Sequence, residues 1–573
     1  MKAFQEAAEK EFQRLLDASG VDAEENARLV KKLHSIEKDL GSANSRKGVF
    51  GCLIFLVIVG VIVAAIVCYS SMKNNDQQIS LYSGGAVVIG ILLFFFWILP
   101  GFSSASRRSS ELKKQLEEVK QAAWDQMKAL NERYEWDIVT RLISKICPIL
   151  TFDPSCTQGR LAELENHFGW DGSYNNEQRS ILFSQCGDLQ GNPFAFCEVL
   201  AQDWDTKTYY GSITIHWKER ERDADGKVYT VTRSETLTAS VDAPIPSYSV
   251  EKFVIYGNEA APDLTFSRGP SALSDAGDGW FDKRRMKSEL KKLKKFSENL
   301  DDESQYTLMS NHDFEVLFHA VDRDHEIQFR LLYTPLAMQQ IVNLLKDKQI
   351  GYGDDFKYTK DHMINIVAPN HLRDFSLSTD PAIYASFDLE SARAFFITHN
   401  MEYFRQVYFS LAPILCVPLY QQHRTAKTIY GYTPGEESSF WEHEGMANYL
   451  GEDRFKHPAS ITANILKTSR VQRNGGTSTI AVTAHGYRGE ERVEYVGKWG
   501  GDGKYHEVPV HWIEYLPVER TSHIQLSEKV PMEPTEKTRP LSGEAAELDG
   551  FLNSIGLDRA AAAYRRSVFA WMR

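Results

Sequence analysis

The fold is decided by VFGCLIFLVIVGVIVAAIVCY, Val49 to Tyr69, and by LYSGGAVVIGILLFFFWILPGF, Leu81 to Phe102, which follows after a short polar stretch. Neither segment contains a charged residue. An apolar helix of about 20 residues crosses roughly 30 Å of hydrocarbon, and it satisfies its own backbone hydrogen bonds there. The two segments therefore predict a transmembrane helical hairpin, rather than a cleaved signal peptide or a pair of buried core helices.

Basic residues flank this hairpin on its outer sides. They are Arg46 and Lys47 before the first span, and Arg107, Arg108, Lys113 and Lys114 after the second. The positive-inside rule then places both flanks on the cytoplasmic side. We expect a two-span protein of the cell (plasma or inner) membrane with both termini in the cytoplasm. Small residues in the spans predict close approach of the two helices: Gly51, Gly60, Gly84, Gly85 and Gly90.

The length and composition indicate a multidomain chain with a net negative charge. The 573 residues are 43% hydrophobic and 25% charged, which is enough apolar material for several cores. The net charge of -12 disfavours a nucleic-acid partner, because phosphate binding needs clustered positive charge. The seven cysteines are scattered and form no C-x-x-C pair, which favours reduced thiols over a disulfide framework.

Helical periodicity flanks the hairpin on both sides. Residues 1–45 carry apolar stripes with a break at Ser19-Gly20, which predicts two amphipathic helices. After the second span, apolar residues recur at spacings of three and four from Leu112 to Ile138, which is typical of a membrane-proximal coiled coil. Packing against residues 1–45 of the same chain and self-association both satisfy this pattern.

The sequence after the membrane-proximal helix predicts a mixture of strands and helices. A long hairpin is predicted from Thr208 to Ser240, and Phe314–Val321, Ile327–Tyr333 and Met363–Val367 are predicted strands. Pro335–Lys346 and Ser391–Leu419 are predicted helices. Four further strands are predicted as a meander: Ile465–Gln472, Thr477–His485, Arg492–Trp499 and Tyr505–Tyr515, with Tyr487-Arg488-Gly489 as one of the turns. An amphipathic helix is predicted near Leu548–Met572.

The predicted fold class is therefore α+β, with a two-helix transmembrane hairpin, a membrane-proximal helical segment, a mixed α+β soluble domain and a C-terminal domain rich in β-meander. The predicted segments are 1–45, N-terminal helices; 46–104, the hairpin; 105–148, the membrane-proximal helix; 149–265, a β-rich domain; 266–300, a linker and basic helix; 301–420, an α+β domain; 421–526, the meander domain; and 527–573, a linker and C-terminal helix.

This order of elements resembles a bacterial membrane family catalogued as domain of unknown function 3137. The resemblance covers about residues 1–370 and rests on the two spans, on Ile138–Ile143 leading into Ile149–Pro154, and above all on Phe314-Glu315-Val316 through Leu331–Met338. No motif in these segments is catalytic. The resemblance implies an architecture and no activity.

A basic helix is the clearest charged feature. It carries Lys283, Arg284, Arg285, Lys287, Lys291, Lys292, Lys294 and Lys295. These side chains are candidates for contact with anionic lipid headgroups. A solvated helix face that balances an acidic protein is the alternative, and nucleic-acid contact is a third.

The chain contains no P-loop, nucleophile elbow, H-E-x-x-H or kinase signature, so no cofactor is predicted. Two weaker constellations stand out. His443, Glu444 and His457 are chemically competent zinc ligands, although their spacing matches no known site. His485, His506 and His511, with Glu507 and Glu514, lie on adjacent predicted strands, where alternation keeps them from converging on one face.

These features favour a non-enzymatic binding or scaffold module that is anchored in the membrane and displayed in the cytoplasm. The alternative is a membrane-tethered hydrolase with an unrecognised, metal-dependent site in the C-terminal half. The expected partner is membrane lipid, and both a homo-oligomer and a separate protein partner remain open. Two spans without an intramembrane ionisable residue disfavour a transporter.

Overall fold

The computed structural model describes residues 1–73, 77–172, 175–222, 227–274, 279–298, 306–422, 437–474, 476–527, 562–565 and 568–572. The fold is mixed α+β, with 47% helix and 31% strand. The chain divides into two compact units. One comprises Ala8–Tyr134 and Pro381–His399, and the other comprises Met1–Ala7, Glu135–Asp380 and Asn400–Arg573.

Long helices dominate the N-terminal part. They are α1, Lys2–Ser19; α2, Ala23–Lys73; α3, Gln77–Leu93; and α4, Leu99–Asn131, which follows α3 through one π-helical turn at Phe94–Ile98. The break predicted at Ser19-Gly20 is confirmed, because Gly20 has a left-handed φ of 68° there. Helix α2 continues without interruption from the N-terminal stripe into the first apolar segment.

Among the residues that the structure describes, two helices are long and apolar enough to cross a membrane, and they contain the two segments quoted at the outset. Their apolar side chains are open to the surroundings: Ile66 is 63% exposed and Phe96 80% exposed. At Gly90 a Cβ atom would stand 2.6 Å from Val61 Cγ2, so this glycine allows the two helices to approach closely. Gly51, Gly60 and Gly85 have nothing within 4 Å of the same position.

The apolar stripe before the first span packs on the helix after the second. Leu33, Ile36 and Ala43 of α2 form one core cluster with Leu112 and Val119 of α4. Polar contacts accompany this cluster, since Ser109 Oγ donates to Asn44 Oδ1 at 2.8 Å and Asn26 Nδ2 donates to Gln126 Oε1 at 2.7 Å. The intrachain alternative predicted for the membrane-proximal helix is therefore present.

In the residues that the structure describes, the second unit forms two antiparallel sheets. The first contains β1, Leu150–Phe152; β2, Arg179–Leu189; β3, Asn192–Arg222; β4, Val228–Gly257; β5, Thr265–Arg268; β6, Phe356–Asp361; and β7, Ile364–Pro369, in the order β1-β2-β3-β4-β7-β6-β5. The second contains β8, Ile465–Asn474; β9, Thr477–Trp499; β10, Tyr505–Ser527; β11, Ala562–Arg565; and β12, Val568–Trp571, in the order β11-β12-β10-β9-β8.

Nine further α-helices are described after α4 along the chain. They are α5, Ile138–Ile146; α6, Gln158–Asn166; α7, Trp280–Glu298; α8, His312–Phe318; α9, Glu326–Leu332; α10, Pro335–Lys346; α11, Leu389–Leu415; α12, Pro418–Gln422; and α13, Phe440–Leu450. The predicted helices at Pro335–Lys346 and Ser391–Leu419 and the strand at Met363–Val367 are confirmed within a few residues.

The long hairpins of the two sheets pack on each other. Strands β3 and β4 pair from Phe194 opposite Tyr256 to Arg222 opposite Val228, which includes the hairpin predicted for Thr208–Ser240, and β9 and β10 pair over their whole length. Leu237 and Ala239 of β4 share a buried apolar cluster with Val508 and Val510 of β10. This contact joins the two sheets into one framework.

Two predicted strands, Phe314–Val321 and Ile327–Tyr333, are wrong because these residues form α8 and α9. Local caps favour the helices: Asn311 Oδ1 accepts from Phe314 N at 3.1 Å. A buried ion pair adds tertiary support, since the guanidinium of Arg323 lies 2.9 Å from a Glu315 carboxylate oxygen and 2.8 Å from one of Glu326. Apolar residues in a short window fit a strand or a helix equally well, so the cap and the ion pair determine that these segments are helices.

The turn predicted at Tyr487-Arg488-Gly489 is also wrong, because β9 runs straight through it and pairs with β10. Gly489 serves close packing there: a Cβ atom would lie 2.7 Å from Ile461 Cδ1 and 3.0 Å from Ile513 Cγ2. The helix predicted at Leu548–Met572 is wrong for 562–565 and 568–571, which are strands β11 and β12. The rest of that segment, and the linker predicted before it, lie outside the described residues.

Candidate functional site

The candidate site is a cleft of about 780 Å³ where the two sheets face each other. Its wall comes from the residues before β2, from β3 and β4 of the first sheet, and from β8, β9 and β10 of the second. The lining residues are Asn176, Glu177, Gln178, Gln202, Tyr248, Ile465, His485, Gly486, Tyr487, Pro517, Val518 and Glu519. Its volume lies within the range of small-molecule sites, about 300–1,000 Å³.

Hydrogen bonds between the two sheets, and to Thr462 in the loop before β8, hold the polar wall of this cleft in place. The Tyr487 hydroxyl of β9 donates to Gln202 Oε1 of β3 at 3.2 Å, and Gln202 itself is only 2% exposed. The Tyr248 hydroxyl of β4 donates to Thr462 Oγ1 at 3.2 Å, and the same oxygen accepts from Tyr487 N at 3.1 Å. The two phenol groups are therefore fixed before any ligand arrives.

Negative charge and aromatic rings characterise the cleft. Glu177 and Glu519 lie at its rim, and His485 Nδ1 is 3.7 Å from a Glu519 carboxylate oxygen. Burial raises the pKa of the Tyr487 phenol, and the charge of Glu177 raises it further. Burial also raises the pKa of Tyr248, with a smaller contribution from Glu452. Trp204 meets the Tyr487 ring edge to face at 5.1 Å.

Sequence reasoning identified only His485 among these lining residues. Tyr487 was assigned to a turn, so its pairing opposite Pro517 in β10 was missed. Gln202, Tyr248 and Glu177 lie far away in the sequence and carry no motif. Only the contact between the two sheets brings them together.

The predicted metal candidates His443 and Glu444 lie in the protein core on α13. His443 Nε2 is 3.0 Å from Ser438 Oγ, and burial lowers the pKa of this imidazole to about 3. Glu444 is fully buried, lies 2.6 Å from Lys467 Nζ, and accepts a hydrogen bond from Ile181 N at 2.9 Å. These contacts connect α13 to β8 and β2.

His457, the third candidate, lies in the loop that precedes β8. Its Nδ1 accepts from Ala459 N at 3.1 Å. Among the described residues, no three His, Cys, Asp or Glu side chains are grouped in a way that could hold a metal ion. Each of the three side chains has a hydrogen-bonding partner within the protein.

The second histidine constellation spreads along the β9–β10 hairpin. His485 pairs opposite Glu519, whereas His511 pairs opposite Val493. Since Glu519 and His511 are eight residues apart along β10 (519 - 511), they are separated by about 26 Å at about 3.3 Å per residue. Only His485 lines the cleft.

The predicted basic helix is α7. Its eight basic side chains, Lys283, Arg284, Arg285, Lys287, Lys291, Lys292, Lys294 and Lys295, are all exposed. Trp280 and Phe281 in its first turn are 65% and 75% exposed, and the Arg284 guanidinium lies 5.5 Å from the Trp280 ring centre. Leu293 is buried and fixes the opposite face of the helix.

No protein-family model, curated protein or solved structure matches this chain.

Proposed function

We propose that the protein is a membrane-anchored, non-enzymatic binding protein whose ligand site is the cleft between the two sheets. The observation that carries this proposal is the fixed polar wall of that cleft, in which Tyr487 bonds Gln202 of the other sheet, and Tyr248 and Tyr487 both bond Thr462 of the loop before β8. A preformed pocket lined by aromatic rings with a few oriented polar groups is typical of ligand recognition.

The two apolar helices supply the anchor in this proposal. Large exposed side chains such as Phe96 and Ile66 would be costly in water and are favourable in lipid. The basic flanks, Arg46 with Lys47 and Arg107 with Arg108, support a topology with both termini and the cleft on the cytoplasmic side. The kinship with domain of unknown function 3137 is likewise a proposal, supported by the order of the elements.

Helix α7 is a second point of membrane contact in the same proposal. Its exposed basic residues match the negative charge of anionic headgroups, and its exposed Trp280 and Phe281 suit the interfacial region. Each basic residue near an anionic surface contributes about 1 kcal/mol. Helix α7 of the wild type should therefore be better protected from hydrogen exchange in anionic nanodiscs than in zwitterionic ones. Replacing Lys291, Lys292, Lys294 and Lys295 by Gln should abolish this difference.

A thermal-shift screen tests the binding function directly. Full-length protein in nonionic detergent would be mixed with amines, sugars and carboxylates, and compared with Val518→Trp, which fills the cleft. A ligand at about 100 times its dissociation constant stabilises a protein by about 2.7 kcal/mol. Stabilisation of the wild type alone supports the proposal, and equal shifts in both proteins, or none, would contradict it. Chemical turnover of a bound compound would instead favour the hydrolase alternative.

A further inference from the structure

The charge of the cleft restricts what it can hold. Two of its lining residues, Glu177 and Glu519, are carboxylates, and the lining residues that the structure describes include no lysine or arginine. An anionic ligand would therefore face two like charges, with no lysine or arginine among the described wall residues to compensate them. Mutual repulsion of like charges makes such a complex unfavourable.

The rings of the cleft suit a cation as well. Tyr248 and Tyr487 both line it, and Trp204 supports Tyr487 at 5.1 Å between ring centres. The face of an aromatic ring attracts an ammonium or guanidinium group through its quadrupole. Because their hydroxyls are engaged with Thr462 and Gln202, the two tyrosine rings hold their orientation without a ligand.

Two carboxylates of the cleft can accept hydrogen bonds from such a cation. The Glu519 carboxylate has His485 as its neighbour at 3.7 Å, and its own side chain remains 73% exposed, so a ligand can reach it. Glu177 is exposed at the rim, and its charge helps to raise the pKa of the partly buried Tyr487 phenol. An amine or guanidinium donates to carboxylates in charge-assisted hydrogen bonds, which are stronger than neutral ones.

We infer that the cleft binds a small organic cation, an amine or guanidinium compound, between the carboxylates of Glu177 and Glu519 and the rings of Tyr248 and Tyr487. This inference rests on the proposed binding function and adds the chemical class of the ligand to it. The volume of about 780 Å³ accommodates a chain longer than a single amino-acid side chain, such as a polyamine.

Matched probes test this inference by calorimetry on the full-length protein in nonionic detergent, which avoids binding of cations to anionic lipid. The probes are 1,4-diaminobutane, 1,4-butanediol and succinate, which share one chain length and differ in charge, with spermidine as a longer cation. The variant is Glu177→Gln/Glu519→Gln. The control is Glu494→Gln/Glu507→Gln, which removes the same charge from exposed positions of β9 and β10 that do not line the cleft.

We expect the two amines to bind, with spermidine the tighter, while the diol and succinate do not. Each carboxylate lost should weaken binding by up to about fivefold, the upper end for ion pairs open to solvent. The control variant should bind like the wild type.

Binding of the diol or of succinate in preference to the amines would overturn the cationic assignment and leave the binding function intact. Equal amine binding by both double variants would overturn the assignment of the cleft carboxylates. If no compound of any class binds, in this assay or in the thermal-shift screen, the proposed function fails as well.

Discussion

Acidification should destabilise the protein through His443, and the size of the effect follows from its burial. Burial lowers the pKa of this imidazole from 6.5 to about 3, and the charge of Arg470 adds to the shift. The unfolded chain therefore takes up a proton at His443 near pH 6.5, whereas the folded chain does so only near pH 3. Because the unfolded state binds more protons between these values, the contribution is complete above about pH 6.5 and is lost as the pH falls towards 3.

Between pH 7.5 and 4.5 this residue should account for a loss of about 2.7 kcal/mol in the free energy of unfolding, since each of the two pH units below 6.5 contributes about 1.36 kcal/mol. The assay is guanidinium-induced unfolding of the full-length protein in nonionic detergent, followed by tryptophan fluorescence at both pH values. His443→Gln should lose about 2.7 kcal/mol less than the wild type over this interval.

His457→Gln is the matched control, because it removes a histidine from a loop rather than from the core. It should retain the acid sensitivity of the wild type. The same loss of stability in all three proteins would refute the assignment of His443 as a buried neutral side chain. Loss of acid sensitivity in His457→Gln but not in His443→Gln would refute it as well.

Three further predictions concern contacts within each unit. Gly90→Leu should disrupt the close packing against Val61 and lower the thermal midpoint of the helical hairpin measured by circular dichroism, whereas Gly85→Leu, with open space around it, should not. Arg323→Met should cost about 3–5 kcal/mol in chemical unfolding, because Glu315 would stay buried without its partner. Burial lowers the pKa of Lys360 to about 7. Between pH 7 and pH 9 the folded state therefore releases a proton that the unfolded state keeps, and the free energy of unfolding of the wild type should rise by about 2 kcal/mol. Lys360→Met should lack this rise.

The parts of the fold that depend on local periodicity could be predicted from the sequence. The two apolar helices, the break before α2, the long β3–β4 hairpin and helix α10 all follow from hydrophobic spacing and from glycine or proline at their ends. Local pattern failed where a distant contact decides the structure. Helices α8 and α9 depend on the Arg323 ion pairs, and β9 continues through Gly489 because Ile461 and Ile513 pack on it.

The candidate site illustrates the same limit. Residues of the cleft come from six separate stretches of chain, and Gln202 acquires a role only because Tyr487 reaches it from the other sheet. The histidine and glutamate of α13 were conspicuous in the sequence, but their side chains connect core elements through Ser438 and Lys467. Residue type alone does not distinguish a ligand of a metal from a buried hydrogen-bonding side chain.

The most direct test of the account is protease protection of the full-length protein in sealed membrane vesicles of both orientations, after carbonate extraction to remove peripheral material. We predict that the protein resists extraction. In inside-out vesicles the protease should remove both the N-terminal helices and the β-rich region, leaving a protected fragment that contains Val49–Phe102. Extraction by carbonate, or protection of one terminus when the other is digested, would contradict a two-span anchor that displays the cleft in the cytoplasm.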